Sequence, residues 1–349
     1  YTFIYIINNM GGNALKNVET FRICKVDYDA IKEEIKEKFS DVLVIEFLRD
    51  LPNKEDFGDV DVLYQLKNPT DIINDIIMKK CASEEIVKCG HCTSFAYKYN
   101  NKNHQIDFIS SGKLDMNRFY LSYGDIGSIL GRMTCHNGIK YGDSGLWVDC
   151  TGRLMNHYTN TTEFPYDANH GKIRLTDDIS TICTFLNLNY DQWLDGFNNL
   201  TELYEWIVQC KYYSFKVFEP IINDDKKRAT LRSFYTGFIN YITEHHAYGD
   251  KSSKLHACDA LNYFNMSDQV FVKIEKVRLY ARRSTKFNGK YLFNKGLRNK
   301  DIGKCLKYIE RCVIDKYQDY NEWLDNHDAI FIQNECNEWL TIYKSLNFL

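Results

Sequence analysis

The chain has little of what marks linkers, membrane spans or strongly basic proteins. Its 349 residues include only four prolines, and no tract rich in Ser, Gly and Pro interrupts it, so long flexible linkers are not expected. No stretch approaches the roughly twenty consecutive apolar residues that cross a bilayer, and no membrane partner is expected. The formal net charge of −3 excludes a strongly basic chain, so any contact with nucleic acid has to use a local basic patch.

The twelve cysteines lack the tight, even spacing of a secreted disulfide framework, so reduced thiols and a cytoplasmic location are expected. Cys89-Gly90-His91-Cys92 has the letters of a disulfide-isomerase motif, but that motif sits at a helix N-terminus. Here the residues that follow are typical of a strand. A zinc site would need two more ligands, with Cys81 the only near candidate, and ordinary thiols are the favoured interpretation.

The length exceeds that of one ordinary core, and a hydrophobic content of 44% is typical of well-packed globular domains. The first third alternates strands and helices, beginning with a strand over Tyr1–Ile7, which predicts a mixed sheet backed by helices. One of these helices is predicted over Tyr28–Phe39, with Asp27 or Asp29 as its N-cap. Helical periodicity follows, and the predicted domains are 1–155, 156–250 and 251–349.

An acidic pair stands within an otherwise apolar run, Gly58-Asp59-Val60-Asp61-Val62-Leu63. Side chains two residues apart on a strand point to the same face, so the two carboxylates would stand together while Val60 and Val62 face the core. Like charges at that distance are costly to keep ionised unless a cation lies between them. Mg²⁺ takes carboxylate oxygens in this way, usually with substrate phosphates completing its shell.

A third acid, Asp107, lies in the apolar segment Ile106–Ile109 after the polar turn Asn100–Asn103, a pattern typical of the second arm of a hairpin. An isolated Asp-x-Asp is commonly a solvated strand edge. Here an apolar strand (Val42–Phe47), a polar loop with proline and a glycine directly before the acids favour a metal site instead.

Gly-Asp-x-Asp on one strand, then a lone Asp on a later strand, resembles the nucleotidyltransferase superfamily of DNA polymerase β, which includes poly(A) polymerases and CCA-adding enzymes. The resemblance implies an α+β fold, with a mixed β-sheet palm domain followed by largely helical domains. It also implies that Asp59 and Asp61 ligate two metal ions, Mg²⁺ or Mn²⁺. Asp107 would ligate the catalytic ion and help deprotonate the attacking 3′-hydroxyl.

The sequence departs from the family at the triphosphate grip. The family usually carries a Gly-Ser pair shortly before the acids, and this chain has Phe47-Leu48-Arg49-Asp50 there. The grip must come from elsewhere, and Gly58 and Lys54 are the first candidates. Gly11-Gly12-Asn13 and Arg22 are further possibilities.

Two more nucleotide-binding candidates lie after the acids. Ser122 is framed by glycine at what is predicted to be a helix start, where backbone amides can meet a phosphate or ribose. Lys140 lies in a predicted hairpin over Gly138–Val148 and could reach a triphosphate. The alternative for each is an ordinary turn residue or a solvated lysine. The aromatics that follow, Trp193 and Trp206 among them, are at helical spacing, which favours a core over a base-stacking platform.

Basic residues crowd between Lys273 and Arg311, where thirteen lysines and arginines face three acids. In a net acidic chain this excess indicates an electrostatic footprint for a phosphate backbone. Within this stretch, Phe287–Leu292 precedes Gly296–Lys304, and both contain glycine. Together they are similar to the glycine-rich turn and helix in the tail of CCA-adding enzymes and bacterial-type poly(A) polymerases. The alternative is a solvated basic helix face. The RNA-binding candidates are Arg282, Arg283, Lys290, Arg298, Lys300 and Lys304.

Together the residues and the resemblance predict a template-independent nucleotidyltransferase that adds nucleotides to RNA 3′ ends by a two-metal mechanism. AMP from ATP is expected, by resemblance to poly(A) polymerases. Two alternatives stay open: transfer of a nucleotide to a small molecule or protein, and a nucleic-acid-binding subunit with a degenerate transferase domain. The oligomeric state is left open.

Overall fold

The computed structural model describes residues 12–124, 126–218, 232–248 and 256–347. The chain divides into two compact units, one formed by Tyr1–Asp149 with Gly171–Met266 and the other by Cys150–His170 with Ser267–Leu349. The predicted strand over Tyr1–Ile7 lies outside the described residues. The division into domains at residues 155 and 250 stays a prediction, because a compact unit need not be an independently folding domain.

The strands alternate with helices in the first part of the chain. In chain order the described strands are β1 (Ile23–Cys24), β2 (Leu43–Phe47), β3 (Asp56–Phe57), β4 (Asp59–Leu66), β5 (Ile86–Cys89), β6 (Cys92–Tyr99), β7 (Lys102–Ser110), β8 (Ile139–Gly142), β9 (Gly145–Thr151) and β10 (Asn169–Thr176). The described α-helices in unit 1 are α1 (Lys25–Phe39), α2 (Ile73–Cys81), α3 (Leu114–Leu121), α4 (Ile126–His136), α6 (Ile179–Leu186), α7 (Tyr190–Asp195), α8 (Leu200–Val208), α9 (Ser233–His245) and α10 (His256–Tyr263).

A five-stranded mixed sheet of order β2-β4-β7-β6-β5 is the centre of unit 1. Strands β4 and β7 run parallel, and the other neighbours are antiparallel. The predicted hairpin that leads to Asp107 is confirmed as β6 and β7, joined at Asn100 and Asn101, both of which have positive φ. The α+β prediction is confirmed at the level of a mixed sheet with a helical C-terminal region.

One face of this sheet is covered by α1 and α2. Helix α1 buries Tyr28, Ile31, Ile35 and Phe39, one residue per turn, against the apolar side chains of β4, β6 and β7. The predicted helix is therefore confirmed, but its predicted cap is wrong. The N-cap is Cys24, with no side-chain cap hydrogen bond, because β1 leads straight into the helix.

The motif Cys89-Gly90-His91-Cys92 forms the turn between β5 and β6, with Cys89 and Cys92 paired in register. Gly90 takes a φ of +59° there, which suits a two-residue hairpin turn. Both cysteines are free thiols. The strand expected after the motif is confirmed, so the thiols lack the helix N-terminus that a redox motif uses.

In the rest of unit 1, β10 is a strand in a region that was predicted to be entirely helical. This strand joins β9 and β8 in a three-stranded sheet, and β8 and β9 form the predicted hairpin. Ile173 and Leu175 are buried in β10 while Lys172 and Arg174 are exposed, an alternation of period two. The helical prediction missed that alternation.

Unit 2 is helical. Its α-helices are α5 (Gly152–Thr159), α11 (Ser267–Lys286), α12 (Gly289–Asn294), α13 (Asn299–Tyr317), α14 (Tyr320–Asn326) and α15 (Ala329–Asn347). Its largest core gathers Cys305, Ile309 and Val313 of α13 with Trp323 of α14 and Cys336 of α15. The predicted helical tail is confirmed. None of the helices described in either unit has the length and apolarity to cross a bilayer.

Candidate active site

The three predicted catalytic acids meet on one face of the central sheet. Strand β4 begins at Asp59, and Val60 and Val62 are fully buried in the core beneath α1 and α2. By the alternation of a strand, Asp59 and Asp61 stand on the opposite face. The parallel register of β4 and β7 places Asp61 directly beside Asp107.

Burial and mutual repulsion disfavour the charged form of each acid. Burial raises the pKa of Asp61 well above its ordinary value, and the charges of Asp59 and Asp107 raise it further. Burial, followed by the charge of Asp59, raises the pKa of Asp107 to about 6. The pKa of Asp59 is also raised, chiefly by burial. Three carboxylates that repel one another in a partly dry site form an electrostatic centre suited to a cation.

Hydrogen bonds turn two of the acids toward protein donors. The backbone N–H of Gly12 donates to Asp59 Oδ2 at 2.9 Å, and Gln105 Nε2 donates to Asp107 Oδ1 at 2.9 Å. The Ser94 hydroxyl also donates to Asp107 and lowers its pKa, against the effect of burial. These bonds orient the carboxylates while leaving further oxygen lone pairs for other partners.

Two cations act on Asp59 from a distance. Lys54 and Arg22 both lower the pKa of Asp59. Neither is in an ion pair with it, because Lys54 Nζ contacts Asp50 Oδ1 at 2.6 Å and Arg22 Nε contacts Asp56 Oδ2 at 2.5 Å. Lys54 and Arg22 thus lie within electrostatic reach of Asp59, and their predicted contacts with a triphosphate stay predictions.

Within the described residues no group of three His, Cys, Asp or Glu side chains is arranged to hold a metal ion. The strand register and the electrostatic coupling nevertheless place three aspartates together. One oxygen of Asp59 accepts from Gly12 and one oxygen of Asp107 accepts from Gln105. The donor set, carboxylate oxygens alone, is the one that Mg²⁺ and Mn²⁺ prefer, so the residues fit such an ion once the side chains rotate.

Asp50 is a fourth carboxylate that sequence reasoning did not assign to the site. Its Oδ1 accepts from Lys54 Nζ, and its Oδ2 accepts from the Tyr28 hydroxyl at 3.1 Å. Its charge raises the pKa of both Asp59 and Asp61. In sequence it occupies the region where the family carries its Gly-Ser pair, and that position was the one available clue.

Unit 1 contains a cleft of about 450 Å³ that is lined by Asp50 and Tyr28 but not by Asp59, Asp61 or Asp107. Burial and then Asp50 raise the pKa of Tyr28, and the charges of Asp61 and Asp59 raise it further, so the cleft lies within electrostatic reach of the acids. The cationic side chains of the lining are Lys25, Lys32, Arg49 and Arg118. Polar walls of both signs beside an acidic centre are suited to a phosphorylated ligand.

Gly58 lies at the start of the acid strand. A methyl group built on Gly12, whose φ is +77°, would come within 2.3 Å of the Gly58 carbonyl oxygen. The two backbones therefore approach so closely that Gly12 has no room for a side chain. Gly12 thus lies beside the acids, whereas Gly11 is outside the described residues.

The structure does not bring Ser122 to the acids as a ligand. Ser122 is the C-cap of α3, not the start of a helix as predicted. Its side chain is fully buried, and its Oγ accepts from the backbone N–H of Arg49 at 2.9 Å. The helix predicted over Ser128–Thr134 is confirmed as α4, but Ser122 follows the unpredicted helix α3 instead of starting α4. Ser122 holds the loop at Arg49 instead.

Lys140 is also apart from the acidic sheet. It lies on β8, and its Nζ contacts Asp149 Oδ2 on the neighbouring strand at 3.3 Å. The same amino group is 3.6 Å from Cys135 Sγ. The predicted role of Lys140 toward a triphosphate stays a prediction, with no contact to the acid cluster in its support.

Most of the predicted RNA-binding residues lie on exposed surface of unit 2. The exposed ones are Arg282, Lys290, Arg298, Lys300 and Lys304. Arg283 differs, because its guanidinium donates to Asp325 Oδ1 at 2.9 Å and to Asn321 at 2.8 Å. Lys286, on the same helix as Arg283, donates to the backbone carbonyls of Leu324 and His327. Arg283 and Lys286 therefore join α11 to α14 rather than offering free charge.

Ser94 and Gln105 contact the acids but were not identified from the sequence. Gln105 lies two residues before Asp107 on β7, and Ser94 lies opposite Asp107 on β6. The period of two along the strand would have placed Gln105 on the acid face, and the hairpin register would have placed Ser94 there. Gly12 was a candidate only within Gly11-Gly12-Asn13, and its contact with Asp59 had no such local signal.

Neither protein-family models nor curated proteins match this chain.

Proposed function

We propose that the chain is a template-independent nucleotidyltransferase that adds nucleotides, AMP from ATP, to RNA 3′ ends. The observation that carries this proposal is the convergence of Asp59, Asp61 and Asp107 on one sheet face, with Asp61 and Asp107 paired in register on parallel strands. A solvated Asp-x-Asp would be exposed, whereas Asp59 and Asp61 are half-buried beside a third acid. The polymerase β-like palm is the finer fold assignment that this proposal includes.

The three acids would have different roles, set by their positions. Asp59, Asp61 and Asp107 would hold Mg²⁺ or Mn²⁺, two ions by resemblance to the family, and such ions supply Lewis-acid stabilisation of charge on phosphate oxygens. By resemblance to the family, Asp107 would also help to take the proton of the attacking hydroxyl. Ser94 and Gln105 would keep its carboxylate in place.

The nucleotide would lie between the acids and the cleft. Lys54 stands close enough to alter the pKa of Asp59 and Asp61, and it is exposed, so its ammonium can reach an anionic ligand. The cleft adds Lys25, Lys32, Arg49 and Arg118. These cations would replace the Gly-Ser pair that the sequence lacks. Gly58 and Gly12 let the backbone approach closely.

The acceptor assignment depends on the basic surface of unit 2. Arg282, Lys290, Arg298, Lys300 and Lys304 are exposed and provide positive charge, although Arg298 is 3.4 Å from Asp301 and the charge of Arg282 acts on Asp325. Neutralised phosphates release counterions, so RNA would bind with a strong salt dependence. A transferase acting on a small molecule would have no use for this surface.

A second candidate function is a nucleic-acid-binding subunit with a degenerate transferase domain. Two observations favour it: the missing Gly-Ser pair, and the absence of a ready three-residue metal group among the described residues. The retained acids, which repel each other at a cost to the fold, argue against it. A degenerate site would be expected to lose such a costly cluster.

The test is extension of a labelled RNA primer with each nucleoside triphosphate, in Mg²⁺ and in Mn²⁺. Asp59→Asn/Asp61→Asn protein is assayed in parallel, with Glu84→Gln, an exposed acid, as the matched control. A ladder made by wild type and the control but not by the double variant supports the proposal. Salt-sensitive RNA binding without extension by wild type favours the binding subunit, and extension by the double variant excludes these acids as the active site.

A further inference from the structure

Residues 12–18, called the strap below, cross the acid-bearing region of the central sheet as an irregular segment. Successive strap residues bond to successive parts of the sheet. The Gly12 N–H donates to Asp59 on β4, and the Ala14 N–H donates to Gln105 Oε1 on β7, both at 2.9 Å. The N–H groups of residues 16–18 donate to Glu85, directly before the edge strand β5. The strap is thus fixed at both ends.

Glu85 is the anchor at the edge of the sheet. Its carboxylate accepts from the backbone N–H groups of Lys16, Asn17 and Val18 at 2.8–3.1 Å, and from Asn17 Nδ2 at 3.0 Å. These donors lower the pKa of Glu85. Three consecutive amides aimed at one carboxylate form a backbone nest for an anion, and the bonds are charge-assisted.

The other end of the strap sets the orientation of two acids. The Gly12 N–H holds Asp59 directly. Because Gln105 Oε1 is taken by the Ala14 N–H, the amide group of Gln105 has its Nε2 toward Asp107, to which it donates at 2.9 Å. One segment therefore orients Asp59 by contact and Asp107 through a single side chain.

We propose that Glu85 is a positioning residue for the acid site and acts on it through the strap. It does not itself contact Asp59, Asp61 or Asp107. Without the Glu85 carboxylate, the backbone N–H groups of residues 16–18 lose their acceptor. The segment that carries Gly12 and Ala14 is then freer to leave the sheet. This proposal rests on the proposed function in one respect only, the identity of the ion that the oriented carboxylates hold.

If Glu85 only held residues 16–18 in place, its loss would change exchange at those residues and leave the acid site as it is. Glu85 is not part of the apolar core beneath α1 and α2. Its loss should therefore leave the melting temperature nearly unchanged while loosening the strap along its whole length. Partners that orient a metal ligand typically contribute tenfold to a hundredfold in metal affinity. The acid site should register the change although its strands, β7 and β4, lie two and three strands away from β5 in the order of the sheet.

The experiment compares Glu85→Ala with Glu84→Ala in the full chain, using amide hydrogen exchange and Mn²⁺ binding followed by electron paramagnetic resonance. Glu84 is the adjacent, exposed acid and serves as the matched control. Glu85→Ala is expected to speed exchange at residues 16–18 and also at Gly12, and to weaken Mn²⁺ binding about tenfold. Glu84→Ala should change neither. Glu85→Gln, which keeps an acceptor oxygen, should fall between wild type and Glu85→Ala.

Faster exchange confined to residues 16–18, with Gly12 protection and Mn²⁺ affinity as in wild type, would overturn the proposal, as would no change in exchange at all. If Glu85→Ala does not fold, Glu85→Gln provides the same comparison. If wild type binds no Mn²⁺, the metal part of the proposed function fails. The exchange at Gly12 then still decides whether Glu85 acts through the strap.

Discussion

Asp61 and Asp107 are direct neighbours across two parallel strands, with their Cα positions paired in register. Val60 and Val62, which flank Asp61 in sequence, are fully buried on the other face, so neither strand can turn to separate the two carboxylates without exposing the core. The fold therefore holds two like charges together. A cation between the two carboxylates would offset that repulsion.

The first prediction concerns the stability cost of Asp61. In EDTA at pH 8, Asp61→Asn is expected to raise the free energy of unfolding by about 1–3 kcal/mol, because it removes one buried charge from a repelling cluster. The same change should abolish primer extension. Urea denaturation with Glu84→Gln as control checks the first effect. A destabilised Asp61→Asn protein would contradict the repulsion argument.

The second prediction concerns pH. Burial and Asp59 raise the pKa of Asp107 to about 6, above its value near 4 in the unfolded chain. The folded state thus binds this proton more tightly, so the contribution is greatest below about pH 4 and is lost as pH rises through about 6. In EDTA the loss should be at most about 3 kcal/mol between those values.

Denaturation in urea at several pH values between 4 and 8 measures this slope. Asp107→Asn should remove that part of the slope, whereas Glu84→Gln should leave it unchanged. Adding Mg²⁺ should stabilise wild type more at pH 8 than at pH 5, because the ion binds the deprotonated carboxylates. A wild-type slope that survives in Asp107→Asn would assign the pH dependence to other groups.

The third prediction concerns the close approach of Gly12 to Gly58. Gly12→Ala would place a methyl group 2.3 Å from the Gly58 carbonyl oxygen at a φ of +77°, so the backbone must shift and the bond to Asp59 should break. Extension activity is expected to fall at least tenfold, the usual effect of losing a partner that orients a metal ligand. Gly112→Ala is the control, since nothing lies within 4 Å of its added methyl group. Equal activity of the two variants would exclude a role for the approach.

Local periodicity was sufficient to place the acids but not the strap. Asp59, Asp61 and the Asp107 hairpin follow from alternation along strands, which needs only a few adjacent residues. The contact of Gly12 with Asp59 spans 47 residues, and that of Ala14 with Gln105 spans 91. Such pairs depend on the folded path of the chain, and a single sequence carries no signal for them.

Other departures had local causes that the sequence did contain. Strand β10 alternates buried Ile173 and Leu175 with charged residues, but the helical patterns that follow it dominated the prediction for this part of the chain. Ser122 was predicted at a helix start because glycine follows it, but Tyr123 and Gly124 have positive φ and end α3 instead. Glycine near a helix boundary is more typical of a C-terminus than of an N-terminus.

The fourth prediction concerns the aromatic core of unit 1. Trp206 is fully buried, and its Nε1 donates to the Asn189 carbonyl at 2.7 Å. Trp206→Ala should destabilise the protein by about 3–5 kcal/mol, as for other large core deletions. Ile72→Ala, at a position that is 62% exposed, should change stability by less than about 0.5 kcal/mol. Loss of RNA affinity at unchanged stability would instead indicate base stacking by Trp206.

The fifth prediction compares exposed lysines of unit 2 with an arginine whose charge is used in an ion pair. Lys300 and Lys304 are exposed on the first turns of α13, whereas Arg283 is paired with Asp325 and Asn321. Lys300→Ala/Lys304→Ala should weaken RNA binding and reduce the slope of log affinity against log salt by about 2, because each lysine neutralises one phosphate. Thermal stability should stay at the wild-type value.

Arg283→Ala is expected to act in the opposite way, lowering the melting temperature while leaving the salt slope nearly unchanged, since it leaves Asp325 without its guanidinium partner. Fluorescence anisotropy with a labelled RNA at several salt concentrations, alongside thermal unfolding, checks both variants. An unchanged slope for the double lysine variant would move the acceptor surface elsewhere on the chain. A slope that falls equally for Arg283→Ala would show that the ion pair with Asp325 opens when RNA binds.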